Sequence, residues 1–331
     1  MPHHFLLSAA ARTLSLSKVA RMSDEEAADA FQQLRWADNE GEPYCPGCGC
    51  AAVYKYASRR IWKCKACQAQ FSATSGTIFA CRKRPVRDYL LAIAIWCNGA
   101  KGVPALQLAR DLDCQYRTAF VLAHKLRETM GSMLPDKLEG KAVEVDGAYF
   151  GGYSKPENHI DNRVDRRLAE NRTGKRQVVV VMRQRKGRTL PFVFPTEAAS
   201  VEQVREIVGA GSTIYADEGP HWQKLRPTFR VKIVEHKSAY FWDGAHINGA
   251  EGYFSRLRRL EAQHHAISRQ YLKSYADECS WREDFRRVSN GEQFRLIAGA
   301  ALQRPPSSRW AGYWQRHLDR HKGGPAGASV V

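Results

Sequence analysis

The chain has 331 residues, which is room for two or three domains, and 44% of them are apolar, enough for at least one core. It carries 51 Lys and Arg against 34 Asp and Glu, so its net charge is +17 and its pI is near 9.6. This excess favours nucleic acid or another anionic surface as the partner, although a ribosomal or simply basic protein would share it. The sequence contains no run of 18 apolar residues, which excludes a membrane-spanning helix.

The first 21 residues are basic, rich in serine and free of acidic side chains. Their apolar patch is too short for a signal peptide, so we interpret the segment as a poorly ordered leader. Ser23 and Glu26 have the spacing of a capping box and predict a helix over residues 23–36. A translation start at Met22 also fits this pattern. Leader and helix together make the first predicted segment, residues 1–40.

Two CxxC pairs mark the second segment, predicted over residues 41–80. The four cysteines are Cys45, Cys48, Cys64 and Cys67, with 15 residues between the pairs. A CxxC turn lets two thiolates reach one ion, and this spacing is at the low edge of that expected for a four-thiolate zinc site. Cys50 competes with Cys48, but the spacing favours Cys48. We predict a structural zinc ribbon with Phe71 and Phe79 in its core, rather than two redox pairs, and clustered thiols indicate a reducing compartment.

Residues 86–133 have helical periodicity in three pieces, with breaks at residues 98–99 and 113–114. A short turn before the third helix is typical of a helix-turn-helix, although a generic three-helix bundle has the same periodicity. Polar side chains on that third helix can reach base edges or phosphates. The candidate DNA contacts are Gln115, Arg117, Thr118 and Lys125, with His124 and Arg127 on the same helix.

The period changes from residue 140, and residues 140–290 read as an α/β domain with a mixed sheet. Short β-rich runs and helical segments alternate; they cover residues 142–150, 177–183, 190–194, 201–208 (helix), 213–216, 231–234 and 248–260 (helix). The basic stretch 158–176 is interpreted as a mobile loop. Residues 291–331 form a predicted C-terminal tail, disordered after Lys322 because Gly, Pro and Ala dominate there.

Three carboxylates are candidates for a metal centre in this domain. Asp146 and Asp217 each lie at the end of an apolar strand, and Glu251 lies on the polar face of the following helix. Such charges repel one another unless cations bind, and magnesium prefers oxygen ligands. Two ions about 4 Å apart can drive in-line phosphoryl transfer. Taken singly each acid is weak evidence, and Glu144 and Glu218 are competitors.

The chain resembles bacterial insertion-sequence transposases that carry an N-terminal zinc ribbon and a DDE catalytic domain, the ISXO-like group. The resemblance runs from about residue 15 to 287; the matching segments are residues 34–36, 45–48, 71–79, 143–152, 215–217, 248–255 and 281–284. It implies a ribonuclease H-like catalytic domain with a triad of Asp146, Asp217 and Glu251. It also points to His264 or His265 as a helper near the scissile phosphate. Gly147 departs from the family pattern, in which a second acid often follows the first Asp.

The expected function is therefore a DNA transposase with structural Zn²⁺ and two catalytic Mg²⁺ or Mn²⁺ ions. We expect binding to double-stranded DNA, at the terminal inverted repeats and at the target, by a homodimer or higher oligomer in the bacterial cytoplasm at the nucleoid. Metal-dependent hydrolysis would release a 3′-hydroxyl that attacks target DNA. A zinc-ribbon regulator without catalysis, an RNase H-like nuclease and an inactive copy remain as alternatives.

Overall fold

The computed structural model describes residues 5–56, 59–151, 157–164, 176–234 and 246–316. The chain divides into two compact units, Met1–Thr129 with Arg287–Val331, and Met130–Arg286. The predicted loop 158–176 and the disordered end after Lys322 lie largely or wholly outside the described residues. In the part of the chain that is described, no helix is long and apolar enough to cross a membrane.

The first unit is mainly helical. Its helices are α1 Leu16–Ala20, α2 Asp24–Arg35, α3 Val86–Asn98, α4 Ala105–Asp111, α5 Tyr116–Ser132 and, after the second unit, α9 Asn290–Gln303. Helix α3 is apolar on nearly every side, and α1, α2 and α9 all pack against it. A helix of this kind is stable only when it is surrounded. The predicted capping box of α2 is present, because Ser23 and Glu26 each accept the other's backbone amide.

The N-terminal residues are more ordered than the sequence indicates. Ala11 and Val19 are buried, and the side chain of Asn290 accepts backbone amides from Thr13 at 2.8 Å and Leu14 at 2.9 Å. The prediction of a poorly ordered leader is therefore wrong for this stretch. Its partner lies more than 270 residues away along the chain, beyond the reach of any local pattern. The predicted C-terminal tail likewise begins with the packed helix α9.

The ribbon is a three-stranded antiparallel sheet of β1 Val53–Lys55, β2 Trp62–Cys64 and β3 Gln70–Phe71. Its core is aromatic, as Trp36 from the end of α2 meets Trp62 edge-on with ring centroids 5.3 Å apart, and Phe71 stacks on Trp62. Phe71 therefore lies where it was predicted. Phe79 does not, because it packs between Phe31 and Tyr89 in the helical part of the unit.

The second unit is built on a five-stranded mixed sheet. Its strands are β4 Ala142–Phe150, β5 Gln177–Gln184, β6 Thr189–Phe194, β7 Thr213–Ala216 and β8 Arg230–Ile233, in the order β6-β5-β4-β7-β8. The first three form an antiparallel meander, whereas β7 runs parallel to β4 and β8 parallel to β7. This mixed topology is that of the ribonuclease H-like fold predicted from the sequence.

Helices cover both faces of this sheet, and β4 and β5 alternate between the two layers. Val143 and Val145 face a core shared with α6 Val201–Ile207, whereas Ala148 and Phe150 face a core shared with α7 Asn248–Gln263 and α8 Leu272–Asp284. The two-residue period of the strand then places Glu144 and Asp146 on the α7 side. Helix α8 was not predicted, because its buried face includes acids as well as apolar residues.

Candidate functional site

Asp146 and Asp217 meet where β7 leaves the sheet. In the parallel register, Val145 of β4 pairs with Ala216, the last residue of β7. Asp146 and Asp217 therefore occupy the next position on the two strands. Neighbouring strands are about 4.8 Å apart, which brings the two backbones together at this step. Strand β4 continues beyond it, paired with β5. The two aspartates therefore lie next to each other at the end of β7, and the charge of Asp217 acts on Asp146.

Two donors hold the carboxylate of Asp217. The indole Nε1 of the fully buried Trp222 donates to Oδ1 at 2.8 Å, and the amide of Gly219 donates to the same oxygen at 3.1 Å. Asp146 accepts the amide of Gly147 at 2.8 Å through its own Oδ1. Each aspartate thus has one oxygen fixed by the protein.

Glu251 completes the group from the first turn of α7. Its neighbours Ala250 and Phe254 are buried against the sheet, as the predicted apolar stripe requires, and Glu251 itself is exposed. Burial, followed by the negative charges of Asp217, Glu197 and Glu251, raises the pKa of Asp146 to about 7. Asp146 therefore lies among like charges, an arrangement that favours binding of a hard cation.

Glu197 and His221 belong to the same site, although the sequence analysis did not select them. A Cβ added to Gly147 would lie 2.6 Å from Glu197 Cγ, so the carboxyl side chain fills the space beside Asp146. His221 Nε2 lies 3.5 Å from Glu197 Oε2. Burial, and then Asp217, raise the pKa of Glu197. The one sequence signal for Glu197 was Gly147, which has no side chain and so leaves room beside Asp146.

The two competitors for the acidic positions have other roles. Glu144 is buried and accepts hydrogen bonds from the backbone of α7 and from Arg185. Glu218 is exposed beside Asp217.

His265 is not brought to the carboxylates. It follows the last turn of α7 in a left-handed conformation, with φ at 56°, and it is exposed. Because Glu251 lies in the first turn, about 18 Å of helix separate them at 1.5 Å per residue. Its neighbour His264 packs edge-on against Tyr275, with ring centroids 4.8 Å apart. This geometry does not support either histidine as a helper, and His221 is the nearer imidazole.

Among the described residues, only the four ribbon cysteines gather metal-ligand atoms within 4.8 Å of one another. Cys45 Sγ and Cys67 Sγ are 3.6 Å apart, and Cys48 Sγ and Cys64 Sγ are 3.5 Å apart. Four thiolates at about 2.3 Å from one zinc ion lie about 3.8 Å apart, so the cluster fits zinc. Cys50 points instead to the carbonyl of Ala52. The ribbon holds a structural zinc site.

The predicted helix-turn-helix segment exposes the start of α5. Gln115, Arg117 and Thr118 are exposed at its start, as a DNA-reading surface requires. The Arg117 guanidinium lies over Trp314, and Trp314 Nε1 donates to the carbonyl of Arg117 at 3.2 Å. The C-terminal segment therefore braces this end of the helix.

Farther along α5 the polar residues point inward. His124 is fully buried and stacks on Trp310, and Arg127 is 1% exposed over the ring of Trp96. Burial also lowers the pKa of Lys125. The prediction that these side chains face DNA is wrong for His124 and Arg127, because aromatic residues from distant segments cover them. Lys125 is half-buried, and its contact with DNA stays a prediction.

A basic cleft of about 390 Å³ lies between the ribbon, α2 and the start of α3. Its charged lining residues are Lys55, Arg60, Arg82, Lys83 and Arg84, with Asp24 as the acid. Arg84 has a structural role as well, because it donates to the carbonyl of Leu112 at 2.6 Å in the turn after α4. Arg84 therefore connects the lining of this basic cleft to the turn between α4 and α5.

Two parts of the chain match known transposase domains. Residues 137–284 match the ISXO2-like transposase domain, and residues 22–70 match the transposase zinc-ribbon domain. The chain belongs to the ISXO-like group of insertion-sequence transposases. A protein described as an uncharacterized protein in transposable element ISH50 of Halobacterium salinarum is 24% identical over 294 residues, covering 85% of this transposase and 98% of the relative.

A chain in the crystal structure of the Mos1 strand transfer complex is also similar to this transposase. It has 13% sequence identity, covers 64% of this chain and 78% of its own length, and aligns with a TM-score of 0.20. A score this low carries no argument about the fold, which rests here on the strand order and direction.

Replacing Cys45 and Cys64 together with serine removes one ligand from each pair, so we expect the transposase to lose its zinc and residues 41–80 to unfold. Zinc content measured by atomic emission and amide exchange across the ribbon would test this. Cys50→Ser is the matched control and should retain zinc. Unchanged zinc content in the double variant would contradict the assignment.

Proposed function

We propose that this transposase cuts and joins DNA at a centre in which Asp146, Asp217 and Glu251 hold two Mg²⁺ or Mn²⁺ ions. The observation that carries the proposal is the register of β4 and β7, in which Asp146 and Asp217 each follow the last paired position of two neighbouring strands. Glu251 acts as a further negative charge on Asp146 from α7. The donor set is entirely carboxylate, which suits Mg²⁺ better than a soft metal.

Hydrogen bonds from the protein orient the two aspartates by binding one oxygen of each carboxylate. Asp217 Oδ1 is occupied by Trp222 and Gly219, which leaves Oδ2 to face an ion. The Gly147 amide restricts Asp146 in the same way. When bound, the two ions would activate the attacking oxygen and stabilise the leaving oxygen of an in-line phosphoryl transfer. Water would attack first and release a 3′-hydroxyl, which would then attack the target strand.

Double-stranded DNA is the proposed partner of the first unit. The exposed start of α5, with Gln115, Arg117 and Thr118, would read bases at the terminal inverted repeats. The basic cleft beside the ribbon would contact phosphates without regard to sequence. Joining two ends requires both to be held at once, so we propose a dimer or larger assembly on DNA.

Strand cleavage tests the catalytic assignment. We expect Asp146→Asn and Asp217→Asn to lower Mg²⁺-dependent nicking of a plasmid carrying the DNA that flanks the gene by about 100-fold or more, because each removes a charged ligand. Glu251→Gln should lower it by at least about 10-fold. Exposed Glu218→Gln is the control and should nick normally.

The same assay separates the rival functions. Retained nicking in Asp146→Asn, with DNA binding intact, would overturn the assignment. Sequence-specific binding with no nicking by the wild type would indicate a regulator. Preferential cleavage of RNA–DNA hybrid would indicate an RNase H-like nuclease.

Salt dependence tests the division between the cleft and α5. Lys55→Ala and Lys83→Ala should each reduce the slope of log binding constant against log salt by about 1, because each removes a phosphate contact. Gln115→Ala should instead reduce the preference for the terminal sequence while leaving the slope unchanged. Lys137→Ala, an exposed lysine outside the cleft, is the control. Equal slopes in all four proteins would contradict the proposed cleft.

A further inference from the structure

We propose that Glu144 is a positioning residue that clamps the start of α7 to β4 and so sets Glu251 beside Asp146. The inference rests on the proposed function, because it concerns how the three carboxylates are held. Glu144 lies on β4 two residues before Asp146 and on the same face. Its side chain is 2% exposed, so its charge must be compensated inside the protein.

One oxygen of Glu144 caps α7 from a different element. Oε2 accepts the amide of Gly249 at 2.7 Å and the amide of Ala250 at 3.1 Å. The residue that precedes the helix, Ile247, has no side-chain oxygen with which to do this. The first amides of a helix need an acceptor, and a carboxylate there also complements the helix dipole. Glu144 supplies both, and the amides it holds belong to the two residues before Glu251.

The other carboxylate oxygen of Glu144, Oε1, contacts residues outside α7. Oε1 accepts Arg185 Nε at 3.0 Å and lies 3.2 Å from His246 Nδ1. The Arg185 guanidinium lies 3.8 Å from the ring centre of Tyr215, and it also donates to the carbonyl of His246 at 2.7 Å. Arg185 thus connects the carboxylate to β7 as well as to the segment that leads into α7.

The residues joined by these contacts lie at the same sequence distance from the three proposed metal ligands. Glu144, Tyr215 and Gly249 each precede a proposed metal ligand by two residues; those ligands are Asp146, Asp217 and Glu251. A single cluster around the buried Glu144 carboxylate therefore joins all three ligand-bearing elements, each at a position two residues before its ligand. Such a cluster fixes the relative positions of the ligands without touching the ions.

Gly249 allows the clamp to close. A Cβ at this position would lie 2.7 Å from Glu144 Oε2 and 2.9 Å from the Arg183 side chain. Gly252, one turn later, would place a Cβ 3.4 Å from the flexible end of Arg256. The two glycines therefore form a matched pair, of which only Gly249 lies in the clamp.

The experiment measures Mn²⁺ binding to the zinc-loaded full chain, by the electron paramagnetic resonance of free Mn²⁺. We expect Glu144→Ala and Gly249→Ala to weaken the Asp146-dependent site by about 10-fold, the size typical of groups that orient metal ligands. Glu144→Gln keeps an acceptor for the helix amides and should recover part of this loss. Gly252→Ala should bind Mn²⁺ as the wild type does.

A second buried carboxylate controls for general destabilisation. Asp284 accepts the amide of Thr189 and pairs with Arg188 at 3.0 Å, but these contacts do not involve α7. Asp284→Ala should lower thermal stability and leave Mn²⁺ affinity within about twofold, since it orients no ligand. If Asp284→Ala weakens Mn²⁺ as much as Glu144→Ala does, the loss is structural and the clamp is overturned.

The remaining outcomes separate the clamp from the metal centre. Wild-type affinity in Glu144→Ala and in Gly249→Ala would overturn the clamp while leaving the centre in place. If Glu144→Ala does not fold, Gly249→Ala against Gly252→Ala decides the question alone. A wild type whose Mn²⁺ binding is unaffected by Asp146→Asn would overturn the proposed metal centre itself.

Discussion

Electrostatic repulsion between carboxylates is the constraint on which the second unit depends. Burial raises the pKa of Asp146, and the negative charges of Asp217, Glu197 and Glu251 raise it too. Without cations this arrangement opposes folding, so it must be held by contacts made elsewhere. Trp222 holds Asp217, and the cluster around Glu144 ties the ligand-bearing elements together. Asp146 thus lies among like charges, whose repulsion a hard cation would relieve.

The constraint on the first unit is the size of its ribbon, because so small a sheet cannot bury enough apolar surface by itself. Four thiolates suited to zinc fix one end of it, and Trp36 from α2 completes its aromatic core. The same helix packs against α3, next to the basic cleft. In the proposed function the ribbon is therefore part of the DNA-binding surface rather than an independent appendage.

Local patterns predicted most of the elements that hold the site. The limits of β4 and β7 agree with the sequence, because alternating or continuous apolar runs are local signals, and the ribbon cysteines follow from spacing alone. Contacts between distant segments were not predictable in this way. Trp310 stacks on His124 and Asn290 bonds to Thr13, and in each pair the residues are far apart in the chain. These contacts overturned the prediction that His124 faces DNA and the prediction of a poorly ordered leader. Glu197 reaches Asp146 for the same reason, from a connection after β6.

The proposed acidic centre is the main claim, and diffraction can test it directly. Crystals of the protein soaked in Mn²⁺ should show two anomalous peaks about 4 Å apart between Asp146 and Asp217, with Glu251 completing the ligands of one of them. Manganese at any other group of side chains, with none between the two aspartates, would contradict the account.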